Sequence, residues 1–526
     1  MHKLSKREDT LEYHELVANT HRFERLIKAF NLFRDGEFKY SLANKLLDYA
    51  TAVGHCYWSS PSLEQYYASI AEKIDVPQSD VYVENTCLIV VTMAFEYGGM
   101  ERVIERWVET DETWHYSIAL TKLDALRCPK RIADDIKKSG GKVFGLGSVA
   151  DLRQKAQQLR KLASGFETVV LMTYECDAVP LLAFGTERFR RPVGMYNQCD
   201  HRFGINVSIS DLVGQLRDWG VRISEEHRGI KDSVIVSVPS EVCEIPFCPK
   251  VDARKALGFS CDAKIVLTVG RVDKYRPVAG MDFKDIASEL LLRDENIEVI
   301  IVGPTEEEMS NWRTMTEKYG GRFRAVGLVE HEKLYNYYFA ADVAIDSYPT
   351  GGIAASSDAI MCGCPILTVE ETTDFLSEGG AVCGSEDELV RRVLELLNNA
   401  EQRTNLVESV RMAIERLCGK DTFMANRDKF MSMLRSRRHQ VRPFITTPTD
   451  CILQDYYKVA IFHDWASMMQ KELSPLLVRP MWIGILMFRV REFYKSYIPW
   501  MLAIYKAVRR RGLWGSVAYV YYKIRK

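Results

Sequence analysis

The sequence predicts an α/β protein with two doubly wound parallel domains, an α-helical N-terminal extension and a basic amphipathic helical C-terminal tail. Short apolar runs alternate with helical segments along two separate stretches of the chain. This alternation is expected for parallel sheets that are covered by helices on both faces. A linker that contains Pro239, Pro246 and Pro249 separates the two stretches.

The first stretch, residues 79–248, is predicted to form the N-terminal domain. Its opening apolar run at residues 87–93 leads through Gly98 and Gly99 into a helical segment, which is typical of a buried parallel strand followed by a helix. Later strands are expected at residues 114–120, 142–146, 168–172, 192–196, 206–211 and 234–238.

The second stretch, residues 249–436, is predicted to form a C-terminal domain of the same type. Residues 1–78 precede both domains and are predicted to be helical, because apolar residues such as Leu26, Phe30 and Phe33 recur there at helical spacing. The strands of the second domain are expected at residues 264–270, 297–303, 323–327, 343–346 and 365–369.

Charge is distributed unevenly along the chain. The formal net charge is −1, which argues against a general nucleic-acid-binding protein. Residues 471–526 nevertheless contain twelve Lys or Arg against two Glu, so this segment carries a net charge of +10. A basic tail on an acidic body predicts an anionic partner, for which we expect a membrane surface.

The tail, residues 437–526, also has the composition of helices that lie in a membrane interface. Charges and Pro499 interrupt its apolar runs, and none reaches the roughly 18 residues that a membrane span requires. The alternative is a C-terminal helix that packs on the first domain. Since the thirteen Cys are scattered and no apolar signal core begins the chain, we expect a cytoplasmic protein, peripheral on the inner face of the cell membrane.

The first candidate for chemistry is the loop after the strand at residues 264–270. Gly270 ends this strand, and Arg271 and Lys274 follow it. Ligands of open parallel sheets bind at the carboxyl ends of the strands. Cations at that edge can hold two phosphates and stabilise a leaving diphosphate. The alternative is a solvated basic loop.

The second candidate is the segment at residues 346–365, in which a strand ends, a glycine-containing loop follows and a helix begins. Backbone N–H groups at such a helix start, next to Gly351 and Gly352, can bind a phosphate. Asp358 falls inside the helix, where its carboxylate can accept hydrogen bonds from ribose hydroxyls. The alternative is a tight turn whose glycines only permit a positive φ.

Taken in order, these motifs resemble the nucleotide-sugar-binding domain of glycosyltransferases with the GT-B fold, in which two Rossmann-like domains face a cleft. Those enzymes carry a Gly-Arg…Lys pattern after the first strand of this domain. They also carry a Gly-x-Val…Leu-x-x-Tyr-Tyr stretch near the nucleobase, matched by residues 327–338. The donor-binding positions implied by the resemblance are Arg271, Lys274, Val329, Leu334, Gly351, Gly352 and Asp358.

The loop departs from one large branch of the GT-B enzymes, the family 4-like retaining transferases. Those carry a glutamate at each end of this loop and helix, where the present chain has Gly351-Gly352 and Asp358. The glycine-rich loop and the aspartate helix are more similar to the O-linked N-acetylglucosamine transferases. The stereochemical course of the transfer therefore stays open.

The first domain carries two weaker matches to the same fold class. Gly98 and Gly99 resemble a cleft-facing Gly-Gly loop that lets the backbone approach a diphosphate, and the alternative is a helix-entry turn. Asp200 and His201 follow a strand at the position where many GT-B enzymes place a cleft histidine. Either residue is a candidate to contact the transferred sugar or accept the proton of the acceptor hydroxyl, and the alternative is a structural histidine.

The resemblance implies a hexosyl- or N-acetylhexosaminyl-transferase that uses a nucleotide-sugar donor, with a UDP-sugar expected. The expected acceptor is a lipid-linked or cell-surface saccharide, and the alternative is a protein acceptor. Neither a metal nor another cofactor is implied, since basic side chains and helix ends hold the diphosphate in this fold. A non-catalytic GT-B-fold partner subunit and a sugar-nucleotide epimerase stay open as alternatives.

Overall fold

A computed structural model describes residues 11–96, 99–200, 202–239, 246–277, 280–369 and 374–448. Within these residues the chain forms two parallel β-sheets, one of seven strands and one of five. The predicted α/β class with two doubly wound domains is therefore confirmed.

The strands of the seven-stranded sheet are β1 Val83–Val91, β2 His115–Leu120, β3 Val143–Gly145, β4 Phe166–Met172, β5 Val193–Asn197, β6 Leu212–Gln215 and β7 Ser233–Ile235. Those of the five-stranded sheet are β8 Lys264–Val269, β9 Ile297–Val302, β10 Phe323–Gly327, β11 Val343–Ile345 and β12 Ile366–Leu367.

The helices up to the end of the first sheet are α1 Leu11–Asn31, α2 Glu37–Ala52, α3 Pro61–Ala71, α4 Gly99–Glu109, α5 Lys130–Lys138, α6 Leu152–Ala163, α7 Val179–Phe184 and α8 Asp218–Ile223. The later helices are α9 Lys250–Leu257, α10 Phe283–Arg293, α11 Arg313–Tyr319, α12 His331–Ala340, α13 Ile353–Met361, α14 Asp374–Glu378, α15 Glu386–Asn398, α16 Ala400–Cys418 and α17 Lys420–Arg435.

The first five strands of each sheet follow the same order relative to the chain, and the first sheet carries two further strands. The first runs β3-β2-β1-β4-β5-β6-β7 and the second runs β10-β9-β8-β11-β12, with every neighbouring pair parallel. The order reverses between β1 and β4 in one sheet and between β8 and β11 in the other. Loops on either side of such a switch point leave a crevice for ligands at the carboxyl ends of the strands.

The two faces of the first sheet bury different neighbours. Along β1, Leu88 and Val90 belong to a core shared with the N-terminal helices and α6, whereas Ile89 and Val91 belong to a core shared with α4 and α17. Successive side chains of a strand point to opposite faces of the sheet. The uninterrupted apolar run of β1 is therefore explained by burial on both sides.

The N-terminal helices are attached to the first sheet through a buried carboxylate. Helix α3 begins at Pro61 with Ser60 as its N-cap, an arrangement that favours helix initiation. Glu64, in the first turn, is fully buried. Its carboxylate accepts hydrogen bonds from the backbone N–H groups of Val207 at 3.0 Å and Ser208 at 2.7 Å. The predicted helical extension thus shares a core with the first sheet.

The sixth strand differs from the prediction. Residues 206–211 are irregular, and the strand lies at Leu212–Gln215 instead. Asn206 has a positive φ of 78°, and its side-chain amide donates to the carbonyl oxygen of Asp177 at 3.1 Å. A positive φ at the first residue of the predicted strand is incompatible with an extended backbone at that position.

The chain crosses back to the first domain after the second. Helix α17 lies inside the predicted range of the second domain, yet the buried Arg427 side chain donates to the carbonyl oxygen of Trp107 in α4 at 3.2 Å. Further along, the His439 ring contacts Asp211 at 2.9 Å. Residues 437–448, which the prediction assigned to the membrane tail, therefore pack on the first domain, and the rest of that tail lies outside the described residues.

None of the helices in the described part of the chain combines the length and the hydropathy that are needed to cross a bilayer.

Candidate functional site

A cleft of about 410 Å³ lies between the two domains. The first domain lines it with α4 and with residues that follow β4, β5, β6 and β7. The second domain lines it with residues of α12, α13, α14 and the end of α16. The carboxyl edges of both sheets therefore face this cleft, as expected for the ligand site of two doubly wound domains.

The loop after β8 runs close to two neighbouring loops. A Cβ atom on Gly303, whose φ is +125°, would come within 2.3 Å of the carbonyl oxygen of Gly270, so only glycine fits there. Beyond Gly270, Arg271 is exposed and Lys274 is half-buried. The Lys274 ammonium donates to the carbonyl oxygen of Gly351 at 3.2 Å, which brings the predicted cation to the predicted glycine loop.

A buried carboxylate, that of Asp346 at the end of β11, organises the glycine loop. Its two oxygens accept the backbone N–H of Gly352, each at 3.0 Å, and one oxygen also accepts the N–H of Ser347 at 2.8 Å. Burial raises the pKa of Asp346, and the nearby Lys274 opposes this shift. The only sequence signal for this role is an acidic residue that ends a buried strand just before a glycine loop.

Helix α13 presents its start and one face to the cleft. Gly352 is its N-cap, and a Cβ atom there would come within 2.4 Å of Lys274 Nζ. Further along the helix, Asp358 is half-buried and lines the cleft together with Ile353 and Ser357. Lys274, the helix start and Asp358 thus form one continuous strip, which we call the α13 strip.

The residues expected near the nucleobase lie deeper than the sequence pattern indicates. Val329 and Leu334 are partly buried and pack against the core of the second domain. Tyr335, the next residue on α12, lines the cleft instead. The buried Tyr338 donates its hydroxyl to the carbonyl oxygen of Ala355 at 3.1 Å and so ties α12 to α13. A donor contact of Val329 and Leu334 stays a prediction.

On the side of the first domain, the completely buried Asp200 holds Arg217 at the cleft. Arg217 Nε and Nη2 donate to the two carboxylate oxygens of Asp200 at 2.7 and 2.9 Å. The guanidinium carbon also lies 5.2 Å from the centre of the Trp219 ring. A bidentate pair fixes both the orientation and the charge of a guanidinium. The sequence did not single out Arg217, because the pattern misplaced the preceding strand.

A buried arginine, Arg228, shapes the loop that carries Asp200. Arg228 donates to the side-chain oxygen of Asn197 at 2.9 Å and to the carbonyl oxygens of Cys199 and Asp200 at 3.3 and 3.2 Å. Burial lowers the pKa of Arg228 to about 10, which still leaves it charged at neutral pH. A buried cation surrounded by carbonyl oxygens keeps this loop in one conformation.

The remaining predicted residues belong to the first domain. Gly99 is exposed at the start of α4 and lines the cleft. Gly98 and His201 lie outside the described residues. Across the part of the chain that the structure describes, no group of three or more His, Cys, Asp or Glu side chains is arranged to hold a metal ion.

Comparison with known families identifies the second domain. Residues 263–399 match the family model described as Glycosyl transferases group 1. This segment runs from β8 to α15 and includes Lys274, Asp346 and the whole of α13. No match was found among the curated proteins.

Solved structures with a similar architecture are distant in sequence. A glycosyltransferase from Rickettsia africae is 11% identical, with 68% of this chain and 100% of that chain covered at a TM-score of 0.51. The Anabaena protein HepE in complex with UDP is 12% identical, with 66% and 100% covered at a TM-score of 0.50. At these identities the similarity concerns the fold alone.

The strand order, the interdomain cleft and the matched segment place the fold of this chain in the GT-B class of glycosyltransferases. Within that class, its residues 263–399 form a Glycosyl transferases group 1 domain. The resemblance that the motifs predicted is thereby confirmed.

Proposed function

We propose that the chain transfers a sugar from a UDP-sugar to a saccharide acceptor that is lipid-linked or part of the cell surface. The observation that carries the proposal is the α13 strip: Lys274 reaches the loop in front of α13, and the first residues of the helix and Asp358 line the interdomain cleft. A cation and backbone N–H groups suit phosphates, and a carboxylate suits sugar hydroxyls.

The second domain supplies positive charge where the leaving group would develop negative charge. When a nucleotide sugar reacts, the bond between the anomeric carbon and the diphosphate breaks, and the diphosphate takes the electron pair. Lys274 and Arg271 follow β8, and the first-turn N–H groups of α13 lie beside Lys274. Because Asp346 holds the Gly352 N–H and lies near Lys274, these groups are oriented before the donor binds.

The nucleotide part of the donor is assigned to the far end of the α13 strip. The half-buried carboxylate of Asp358 accepts hydrogen bonds from the ribose hydroxyls in this proposal, and Tyr335 lines the same cleft. The choice of uridine is supported by HepE, which shares the fold and was solved in complex with UDP.

On the acceptor side, His201 is the group that contacts the transferred sugar or takes the proton of the acceptor hydroxyl in this proposal. Asp200, the other predicted candidate, acts as a positioning residue, since its carboxylate is buried and both oxygens bind Arg217. Arg217 then presents a fixed positive charge from the first domain to the cleft.

A thermal-shift screen with UDP-, GDP- and ADP-sugars tests the donor site. We expect UDP-sugars to raise the Tm, and we expect Arg271→Ala and Lys274→Ala each to weaken binding by roughly tenfold or more, because each removes a charged hydrogen bond to phosphate. Arg293→Ala is the matched control, since Arg293 is an exposed arginine of α10 that pairs with Glu289. No shift with any donor would overturn the donor site, and a shift that survives both variants would place the diphosphate elsewhere.

Turnover is tested separately by the release of UDP from the donor that gives the largest shift. We expect slow release without an acceptor and faster release with membrane extracts that contain lipid-linked saccharides. A chain that binds the donor but releases no UDP under either condition would instead be a non-catalytic partner subunit.

A further inference from the structure

The first domain exposes apolar side chains beside the cleft. Leu126, in the turn after β2, is 100% exposed, and Phe95, in the loop after β1, is 50% exposed. Strands β1 and β2 are parallel neighbours, so the loops at their carboxyl ends lie side by side. Exposed apolar side chains that lie next to one another mark interaction surfaces, whereas single scattered ones are ordinary.

Hydrogen bonds hold these two loops in place. The Phe95 N–H donates to Glu101 Oε1 at 2.9 Å, which ties the first loop to α4. Arg131 Nη2 donates to the carbonyl oxygen of Glu96 at 2.8 Å, which ties the same loop to α5. The turn that carries Leu126 precedes α5 directly. Both apolar side chains are therefore displayed on an ordered scaffold.

The exposed charges around Leu126 are mostly positive. Lys122, Arg127 and Lys130 are exposed within the same short segment. Its one carboxylate, Asp124, accepts the backbone N–H of Ser148 at 2.9 Å. The exposed Glu96, next to Phe95, is a second carboxylate at this surface, which leaves three cations against two anions. A net positive charge around an apolar tip matches an anionic lipid surface, because the tip enters the acyl boundary while the cations face the headgroups.

Helix α4 connects this surface to the cleft. Glu101, which accepts the Phe95 N–H, lies between Met100 and Arg102, and both of these neighbours line the cleft. The exposed loops and the cleft entrance therefore meet at one helix end. A bilayer that contacts the loops would lie next to that entrance.

We propose that the surface formed by Phe95, Lys122, Leu126, Arg127 and Lys130, which we call the entrance surface, docks the first domain on an anionic bilayer. Docking presents the cleft to an acceptor that is anchored in the lipid. The choice of a lipid-anchored acceptor rests on the proposed function, whereas docking itself requires neither donor nor acceptor. Since stable membrane association commonly needs two weak attachments, the entrance surface acts together with the basic tail.

Co-sedimentation of the full chain with vesicles tests the docking, in the absence of any sugar nucleotide. We expect binding to phosphatidylcholine vesicles that contain phosphatidylglycerol, and much weaker binding to phosphatidylcholine alone. Leu126→Glu should weaken binding by about tenfold, and Lys130→Glu by roughly fivefold or more. Leu292→Glu is the matched control, because Leu292 is a leucine on α10 with 69% exposure. Equal binding of Leu126→Glu and wild type would overturn the proposal.

A local measurement separates the entrance surface from the tail. Hydrogen exchange should show that vesicles protect the backbone amides of residues 122–131 in the wild type and protect them less in Leu126→Glu. Absence of protection there in the wild type would overturn docking and would favour an acidic protein partner for this surface. If vesicle binding is lost but UDP-sugars still raise the Tm, the docking proposal is refuted and the proposed donor site is not. If UDP-sugars do not raise the Tm but vesicle binding is intact, only the donor site is refuted.

Discussion

Carboxylates have two kinds of role at the cleft. Asp346 and Asp200 are buried, and each lies beside a cation, Lys274 or Arg217, whereas Asp358 is half-buried and faces the cleft. A buried carboxylate is costly to desolvate unless its partners have good geometry, so the two buried residues are expected to orient neighbouring cations. The half-buried one is expected to bind the ligand.

Replacement of Asp358 by Asn tests the ligand-binding role. The amide keeps the shape of the side chain but replaces a charge-assisted hydrogen bond to ribose with a neutral one, so we expect the Kd for UDP to rise by about tenfold. The Tm without ligand should change little, because Asp358 is only half-buried. Isothermal titration measures the affinity, with Glu395→Gln on the exposed face of α15 as the control. Unchanged affinity in Asp358→Asn would assign the ribose to another group.

Replacement of Asp200 by Asn tests the positioning role. The variant leaves Arg217 with a neutral acceptor, so we expect kcat/KM for transfer to fall by roughly tenfold or more while the Kd for UDP stays within about twofold. The pH profile of kcat/KM should keep its shape, because a positioning residue does not donate or accept the transferred proton. If Asp200→Asn instead abolishes the decrease of kcat/KM at low pH, Asp200 is the general base that accepts the proton of the acceptor hydroxyl. If Asp200→Asn folds poorly, Arg217→Lys serves as a second variant. The lysine keeps the positive charge but cannot form the bidentate pair with Asp200, so kcat/KM should again fall while the Kd for UDP changes little.

At the scale of elements, strand ends rather than strand interiors determine the site. The loops after β8 and β11 flank the switch point of the second sheet, and they meet through Lys274 and Gly351. In the first sheet, the residues that follow β4, β5, β6 and β7 line the cleft. A shift of one strand by a few residues, as found for β6, therefore changes which side chain reaches the ligand.

The segment between α2 and α3 is expected to make the stability depend on pH. The buried His55 ring stacks on Phe23 with 4.3 Å between centroids, and burial lowers the pKa of His55 from 6.5 to about 4. Between these values the unfolded chain binds the proton and the folded chain does not, so stability falls as the pH decreases through this window. The loss is roughly 3 kcal/mol when complete.

Urea unfolding of wild type and His55→Phe at pH 7 and at pH 4.5 checks this expectation. The variant keeps an aromatic ring at the position but has no group to protonate, so its stability should decrease less between the two pH values. Equal decreases in both proteins would show that other groups, and not His55, cause the acid sensitivity.

At the scale of the whole molecule, the chain passes through both domains and returns. Helix α17 and residues 437–448 follow the second domain, yet Arg427 and His439 are bound in the first. The His439 ring contacts Asp211 through Nδ1 at 2.9 Å and the carbonyl oxygen of Phe184 through Nε2 at 2.8 Å. The first domain therefore includes residues that follow the second domain in the chain.

Truncation after Ser474 tests the predicted role of the basic tail. It removes most of the positive charge of residues 471–526 but keeps α17 and residues 437–448, so the first domain should stay folded. We expect the truncated protein to bind anionic vesicles at least about 100-fold more weakly, because eleven Lys or Arg are removed and each one near the surface contributes about 1 kcal/mol. Equal partitioning of the truncated and full-length proteins would show that the tail does not attach the chain to membranes.

The sequence alone determined the two doubly wound domains, the loops after β8 and β11 and the GT-B resemblance, because these depend on local periodicity and on the order of motifs along the chain. Only the tertiary structure decided that Asp200 orients Arg217, that Asp346 holds the glycine loop and that Val329 faces the core. Each of these facts depends on which side chains meet across turns and between strands. No local pattern contains that information, since packing and burial decide whether a carboxylate faces a ligand or a buried cation.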